Sequence, residues 1–513
     1  VFYLGNAASR NEAIARMKAS TWTRLINASA DPDRVRRFLN VLGDSAEFAE
    51  VQRDADRMRI LVALLSGSQV LGTAFAVHPI WLEQLRPELL QFPRRAQGLR
   101  KELAELIAPL VAARDRTGAL KAIRTFKQRE MLRIAARDLA RIGNVREITL
   151  ELSNLADVVL DQVWQISFET LVERFGRPWH QEHTGFWQPT QACVLGMGKL
   201  GGQELNYSSD VDVLFVYSEE GSVFKETPAK TKTPRAVMAS HQFFNRVAEM
   251  FIAEISRSAP EGMLFRIDLR LRPEGDTGPL CRSLGSYENY YGQWGQTWER
   301  MMLIKARGVA GDRNLAGEFL EMVQPFRYPR AVGPDVLQEI GAMKDRIEAE
   351  VVKSGELDRN VKLGRGGIRE IEFVAQSQQL LHAGRIPFLQ GSQTLPALEK
   401  LAQYNLLSEN DAVALREAYC FLRDVEHRLQ MEENLQTHTI PQNKSAQERL
   451  ARLMGFSSLR EFDNKRKTHC DAVSRVFDRL FRVEKPIKAA EAFPREFAGA
   501  EADWKRVLHE HSF

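Results

Sequence analysis

Residues 194–217 read VLGMGKLGGQELNYSSDVDVLFVY: an apolar start, a glycine-rich middle and an apolar close carrying two aspartates. The last eight residues, DVDVLFVY, have the composition of a strand. Strand side chains alternate faces, so Asp210 and Asp212 project to one side while Val211 and Val213 enter the core. Aspartate is depleted in strands, which makes two within an apolar run awkward for a merely solvent-facing strand. Crowded carboxylates repel, and each resists ionisation unless a cation compensates. A pair of Mg²⁺ ions does so, since Mg²⁺ is held by a few carboxylates plus substrate phosphates. Just upstream, Gly196, Gly198, Gly201 and Gly202 surround Lys199. Such glycines let backbone N–H groups approach phosphate oxygens, and the lysine adds a point charge. The spacing is not that of a P-loop, and a purely structural turn remains the alternative.

Working outward, residues 192–195 (ACVL) form a short apolar run ending in glycine, as a buried strand does. Residues 263–272 (MLFRIDLRLR) are a third strand candidate, and residues 237–255 between them a helix. Strand, glycine turn, strand, helix, strand indicates a small sheet covered by helices. By the same alternation Asp268, Arg270 and Arg272 share one strand face. A carboxylate beside two arginines suits a site for metal and phosphate together. A mixed-charge surface strand is the other possibility for that segment alone. The three elements combined point to two-metal phosphoryl or nucleotidyl transfer.

The flanks are helical. Leu152, Leu155, Val159, Val163 and Ile166 mark one stripe of a long helix. Thr117-Gly118 reads as a break between two helices, and residues 119–142 as a helix stopped by Gly143-Asn144. Residues 175–189, with Gly176, Pro178, Gly185 and Pro189, form the best domain boundary. Ser408 to Asp411 resembles a capping box, and Leu415, Ala418, Leu422, Val425 and Leu429 then follow a bundle seam. The expected fold is α+β and mostly helical. It comprises an N-terminal helical domain (1–185), a sheet-bearing core (186–286) and a C-terminal helical bundle (287–513). Residues 60–77 have the length of a membrane span, but Ser66, Gly67, Ser68 and Gln69 in the middle read as a helical turn.

At 513 residues the chain is long enough for several units of roughly 150 residues each. With 44% apolar and 27% charged residues it has the composition of a folding, soluble chain. The formal net charge is only +4, without a basic stripe, which disfavours nucleic acid as a partner. Cys193, Cys281, Cys420 and Cys470 are far apart, with neither metal-ligand spacing nor a disulfide framework. No secretion signal follows Val1, so the expected place is the cytoplasm, away from membranes. The missing initial Met, and a stop at residue 513 just after helix-like sequence, lead us to expect a piece of a longer chain. His180 and His183 read as surface residues. Tyr287, Tyr290, Tyr291, Trp294 and Trp298 read as interdomain core, with an adenine platform as the alternative.

The glycine turn followed by Ser209-Asp210-Val211-Asp212 resembles the nucleotidyltransferase superfamily of DNA polymerase beta. More narrowly, GMGKLGGQELNYSSDVDVLF, RIDLRLRPEGDTGPL, TWERMMLIKAR and NVKLGRGGIREIEF are similar to the bacterial glutamine synthetase adenylyltransferase/deadenylylase family. LRIAARDL at residues 132–139 resembles the same family. The resemblance implies a polymerase-beta-like sheet domain and two Mg²⁺ ions on Asp210, Asp212 and Asp268. It makes Gly198, Lys199, Ser209, Arg270 and Arg272 candidates for holding phosphate or nucleotide. Lys199, Arg270 and Arg272 could instead be structural ion-pair partners, and the roles of Arg369, Glu370 and Glu372 are open. That family carries one unit attaching AMP to a tyrosine of glutamine synthetase and one removing it. KLGRGGIREIEF looks more like the removing half, which implies phosphorolysis of adenylyl-tyrosine to ADP and tyrosine. The rivals are the attaching half, which uses ATP, and a non-catalytic unit docking glutamine synthetase. The resemblance also implies a PII-type signalling protein as partner.

Overall fold

The computed structural model describes residues 21–481, apart from residues 44, 231, 232, 334, 335, 337, 338, 344, 345, 347, 348 and 350–357. The fold is α+β and mostly helical, with nine short strands among the described residues: β1 (Arg177–Gln181), β2 (Trp187–Pro189), β3 (Ala192–Gly196), β4 (Asp210–Tyr217), β5 (Ser222–Phe224), β6 (Met238–Ala239), β7 (Arg266–Asp268), β8 (Cys281–Ser283) and β9 (Arg307–Gly311). They make two sheets. The smaller has the order β2-β1-β5-β6, in which β1 and β2 form a hairpin within residues 175–189. The larger has the order β7-β4-β3-β9, with β8 also on β4.

β4 is the axis of that larger sheet. It runs antiparallel to β3 and parallel to β7 and β8, so the sheet is mixed. Its odd-numbered residues Val211, Val213, Phe215 and Tyr217 join one core with the helices Val145–Phe175 and Ser240–Ser256. There Trp164 stacks on Phe215 with ring centroids 5.9 Å apart. Its even-numbered Leu214 and Val216 join a second core with Tyr287, Leu303 and Phe319. The period-2 alternation therefore separates two buried faces. Asp210 and Asp212 lie on the face of Leu214 and Val216, at the end where apolar cover gives way to a cavity.

The third strand is shorter than its pattern predicts. Only Arg266–Asp268 pairs with β4, and the chain turns at Arg270. Asp268 causes this locally: its Oδ1 accepts the Arg270 N–H at 2.9 Å, an Asx-type bond that competes with the ladder. Hence Arg270 and Arg272 do not share a strand face with Asp268. The predicted break at Thr117-Gly118 also moves. Asp115 is the N-cap of the helix Arg116–Leu139 and its carboxylate accepts the Gly118 N–H, so Gly118 lies inside the first turn.

The helical stripes behave as their periodicity requires. The helix Val145–Phe175 buries Leu152, Leu155, Val159 and Val163. In residues 60–77 the chain breaks at Ser68, which caps the helix Gln69–Val77. Among the described residues no helix is long and apolar enough to cross a membrane. Ser408 caps the helix Glu409–Glu433 by accepting the Asp411 N–H, and Leu415, Ala418, Leu422, Val425 and Leu429 are all buried. This helix carries polar side chains inward as well. Arg423, Glu426, His427 and Gln430 are fully buried, which is unusual for polar and charged groups unless they are paired. All four cysteines are free thiols.

Candidate functional site

The β4–β7 register is the centre of the site. Asp212 is paired with Asp268 and Asp210 with Arg266, so Asp212 and Asp268 stand side by side on one sheet face. Burial pushes the Asp212 carboxyl up to about 6, reinforced by Asp268 and Asp210 and only partly offset by Lys362. Asp210 accepts from Arg266 Nε at 2.6 Å and from Gln436 Nε2 at 3.1 Å. Asp268 is held below the ordinary carboxylate range by hydrogen bonds from Arg270, whose Nη2 is 2.5 Å away. Two of the three carboxylates thus have arginine partners, and the most buried faces its neighbours without one.

The glycine turn is the short helix Gly198–Gly201, directly after β3. Gly198 has φ of +51°, and a Cβ there would lie 2.6 Å from Asp212 Oδ2, so the backbone packs on the carboxylate. A Cβ on Gly201 would collide with the carbonyl oxygens of Lys305 and Gly196. The N–H groups of Gly201 and Gly202 already serve the Met197 and Gly198 carbonyls. These glycines are therefore first a packing device, with Gly198 the one that borders the site.

A cavity of about 610 Å³ opens here, lined by Gly198, Lys199, Ser209, Asp210, Asp212, Asp268 and Arg270. Seven of the eight predicted site residues thus meet in one place. Arg272 does not. It is buried outside the cavity, its Nη1 donating to the Leu269 carbonyl at 3.0 Å, because the strand ends before it. The opposite wall comes from later segments: Trp298, Lys305, Lys362, Arg369, Glu372 and His438. Of the open motif, Arg369 and Glu372 line the cavity, whereas Glu370 is buried outside it. Of the five aromatics expected in a core, Tyr287 and Tyr291 are buried and packed on Phe319 and Phe326, whereas Trp294 and Trp298 are exposed. Trp298, half exposed at the cavity rim, is the aromatic of that group that remains available to a planar ligand.

Lys199 explains how distant parts of the chain meet. Its Nζ lies 2.9 Å from Glu426 Oε1, a carboxylate also bound by Arg423 at 2.8 Å and His438 at 2.8 Å. Burial pushes the Lys199 ammonium down to about 7 against the pull of Glu426. Glu426 stays well below the ordinary carboxylate range, because Lys199, Arg423 and His438 outweigh the effect of burial. Glu372 is likewise held at about 2 by Lys305, Lys199, Arg369 and Lys362, although burial acts the other way. After the helix Glu409–Glu433 ends at Asn434 in left-handed conformation, the chain runs back along β4. There the Ser208 hydroxyl donates to the Asn434 carbonyl at 2.8 Å and Ser208 N–H to Gln430 at 3.1 Å. The sequence offered a signal for Lys305 and Lys362, which sit in the quoted motifs. It offered none for Glu426, Gln436 or His438, which carry no motif of their own.

A second polar cluster lies behind the site. Asp138, Asp424 and His427 bring ligand atoms within 4.8 Å of one another, a spacing that can hold a metal ion; among the described residues no other such group closes so tightly. In this structure the place of a cation is taken by Arg428, which pairs with Asp138 and lies 3.5 Å from Asp424. His427 Nδ1 at 2.9 Å and the Tyr207 hydroxyl at 3.0 Å complete the shell of Asp138.

Residues 58–322 match the family described as glutamate-ammonia ligase adenylyltransferase, and residues 341–481 match that of the GlnD PII-uridylyltransferase. A bifunctional glutamine synthetase adenylyltransferase/adenylyl-removing enzyme of Thioalkalivibrio sulfidiphilus is 38% identical over 440 residues, covering 85% of this chain and 43% of the relative. The chain spans less than half the length of that curated relative. Since the first match covers β3, β4, β7 and more than half of the sequence, the chain belongs to the glutamate-ammonia ligase adenylyltransferase family.

Proposed function

We propose that this chain is an adenylyl-removing nucleotidyltransferase acting on glutamine synthetase. The observation that carries it is the pairing of Asp212 with Asp268 across β4 and β7, in a cavity whose far wall is cationic. A phosphate oxygen attacks the α-phosphorus of adenylyl-tyrosine and forms a new P–O bond. The bond from phosphorus to the tyrosyl oxygen breaks, its electron pair stays on that oxygen, and a proton from solvent completes tyrosine. ADP is the other product. Preference for removal over attachment of AMP rests on KLGRGGIREIEF, whose Lys362, Arg369 and Glu372 line the cavity.

The residues suit Mg²⁺. Asp212 is a carboxylate pushed up by burial and by two like neighbours, and among the described residues it lacks an arginine partner, so a divalent cation held by Asp210, Asp212 and Asp268 would offset both. When bound, such ions align attacking and leaving oxygens and stabilise their charge. The protein's own groups do the remainder: Gly198 keeps the floor close, Ser209 borders the reacting region, and Trp298 offers a face to the adenine. Mg²⁺ is expected to raise the melting temperature by mass action on the folded state. Replacing all three aspartates by Asn should erase that shift; an unchanged response would place the ion elsewhere, with Asp138, Asp424 and His427 the next group to replace.

The direction of transfer has a direct test. Given adenylylated glutamine synthetase, Mg²⁺ and phosphate, the chain should yield ADP and unmodified glutamine synthetase. Incorporation of labelled AMP from ATP, without phosphate-dependent release, would assign it to attachment instead. A PII-type signalling protein is the proposed regulatory partner, on sequence resemblance alone.

A further inference from the structure

The cavity contains more positive charge than its own carboxylates neutralise. Asp268 is matched by Arg270, Asp210 by Arg266 and Lys199 by Glu426, while Lys305 is shared between Glu204 at 2.8 Å and Glu372 at 3.4 Å. With Asp212, four carboxylates line the cavity against six lysines and arginines. Lys362 and Arg369 also line the cavity, and among the described residues neither has an ion-pair partner within 4.0 Å. Their backbones are tied together, the Arg369 N–H donating to the Lys362 carbonyl at 3.0 Å. Lys362 is close enough to pull down the carboxyls of both Asp212 and Glu372 and to push down Lys199. It shares the cavity lining with the aspartates and with Lys199. Unpaired cations grouped in a cleft raise the local concentration of anions.

Arg270, by contrast, is engaged on Asp268 through both Nε and Nη2. Arg272 is turned away from the cavity altogether. The strand-face arginines are thus poor candidates for a free anion. We propose that Lys199, Lys362 and Arg369 form a subsite for inorganic phosphate on the helical side of the cavity, beside the reacting phosphorus. Two unpaired cations, Lys362 and Arg369, beside the Lys199 ammonium that is shared with Glu426, suit a tetrahedral dianion, which lysine meets as a point charge and arginine through two parallel N–H groups. Glu426, fixed by Arg423 and His438, keeps Lys199 at that wall. The assignment rests on phosphate being the attacking group, as proposed above.

Lys362→Met and Arg369→Ala in the whole chain test it. Lys362→Met keeps the aliphatic stem, and Arg369 is exposed, so neither change threatens the fold. Each should raise the KM for phosphate about tenfold, the worth of one charge-assisted hydrogen bond, while the KM for adenylylated glutamine synthetase stays within about twofold. Titration of the chain with inorganic phosphate alone, followed by ³¹P line width, should show the same weakening. Equal rises in both KM values, or equal phosphate binding by wild type and variants, overturns the subsite. Should the wild type transfer AMP from ATP and show no phosphate-dependent release, the proposed function falls. The subsite is then judged on the phosphate titration: weaker binding in both variants retains it, equal binding removes it.

Discussion

Asp212→Asn is expected to lower turnover by at least about a thousandfold while leaving the protein folded, because a metal ligand worth several kcal/mol of transition-state stabilisation is removed. Its effect on stability should have the opposite sign. The Asp212 carboxyl is raised to about 6 by burial and by Asp268 and Asp210, so the folded state holds a proton that the unfolded chain releases near pH 4. Stability contributed by this group therefore falls as pH rises between about 4 and 6, and the penalty is complete above that window. Asparagine has no such titration. Without Mg²⁺ at pH 7 to 8 the variant should melt above the parent, and at pH 4 the two should converge. Thermal melts at both pH values, beside a turnover assay, check this pair of outcomes. Full activity in folded Asp212→Asn would remove the two-metal proposal; a variant less stable than its parent at pH 8 would remove the electrostatic account of the site.

The largest loss of stability should come from Asp138→Asn. Asp138 is buried between the helix Arg116–Leu139 and the helix Glu409–Glu433, where it binds Arg428, His427 and the Tyr207 hydroxyl. Removing its charge leaves the Arg428 guanidinium, itself 2% exposed, with only the partly exposed Asp424 at 3.5 Å to compensate it. Breaking one partner of a buried pair costs about 3–5 kcal/mol. Asp138 is held well below the ordinary carboxylate range by Arg428 and His427 despite its burial. Its contribution is therefore present above about pH 4, the unfolded value, and is lost as pH falls further. The parent should lose stability steeply in acid, and the variant less so. Denaturation midpoints across pH measure this, and Asp138→Asn combined with Arg428→Met should recover part of the loss, since the buried guanidinium is then removed together with its carboxylate partner. A single variant within about 0.5 kcal/mol of the parent would show that this network does not hold the two helices together.

Part of this architecture was written locally. Period-2 alternation in residues 210–217 placed Asp210 and Asp212 on one face and the valines in the core, because a strand's side-chain geometry depends only on its own backbone. The helix stripes were readable for the same reason: Leu152 to Val163 and Leu415 to Leu429 repeat at helical spacing and are buried. Local chemistry also misled. MLFRIDLRLR alternates well, yet Asp268 binds the Arg270 N–H and ends the strand, which sends Arg272 away from the site.

The cationic wall could not be read from periodicity. Lys199 meets Glu426 across 227 residues, and Gln436 meets Asp210 across 226. Whether Lys199 is a surface charge or a cavity wall depends on which helix packs over the glycine turn, and no spacing within the turn carries that information. Sequence alone determined that this chain holds a strand-borne pair of carboxylates beside a glycine turn. Packing of the helix Glu409–Glu433 over the glycine turn and residues 204–208 decided which cations face them, because long-range ion pairs in a buried cleft exist only once both elements are in place.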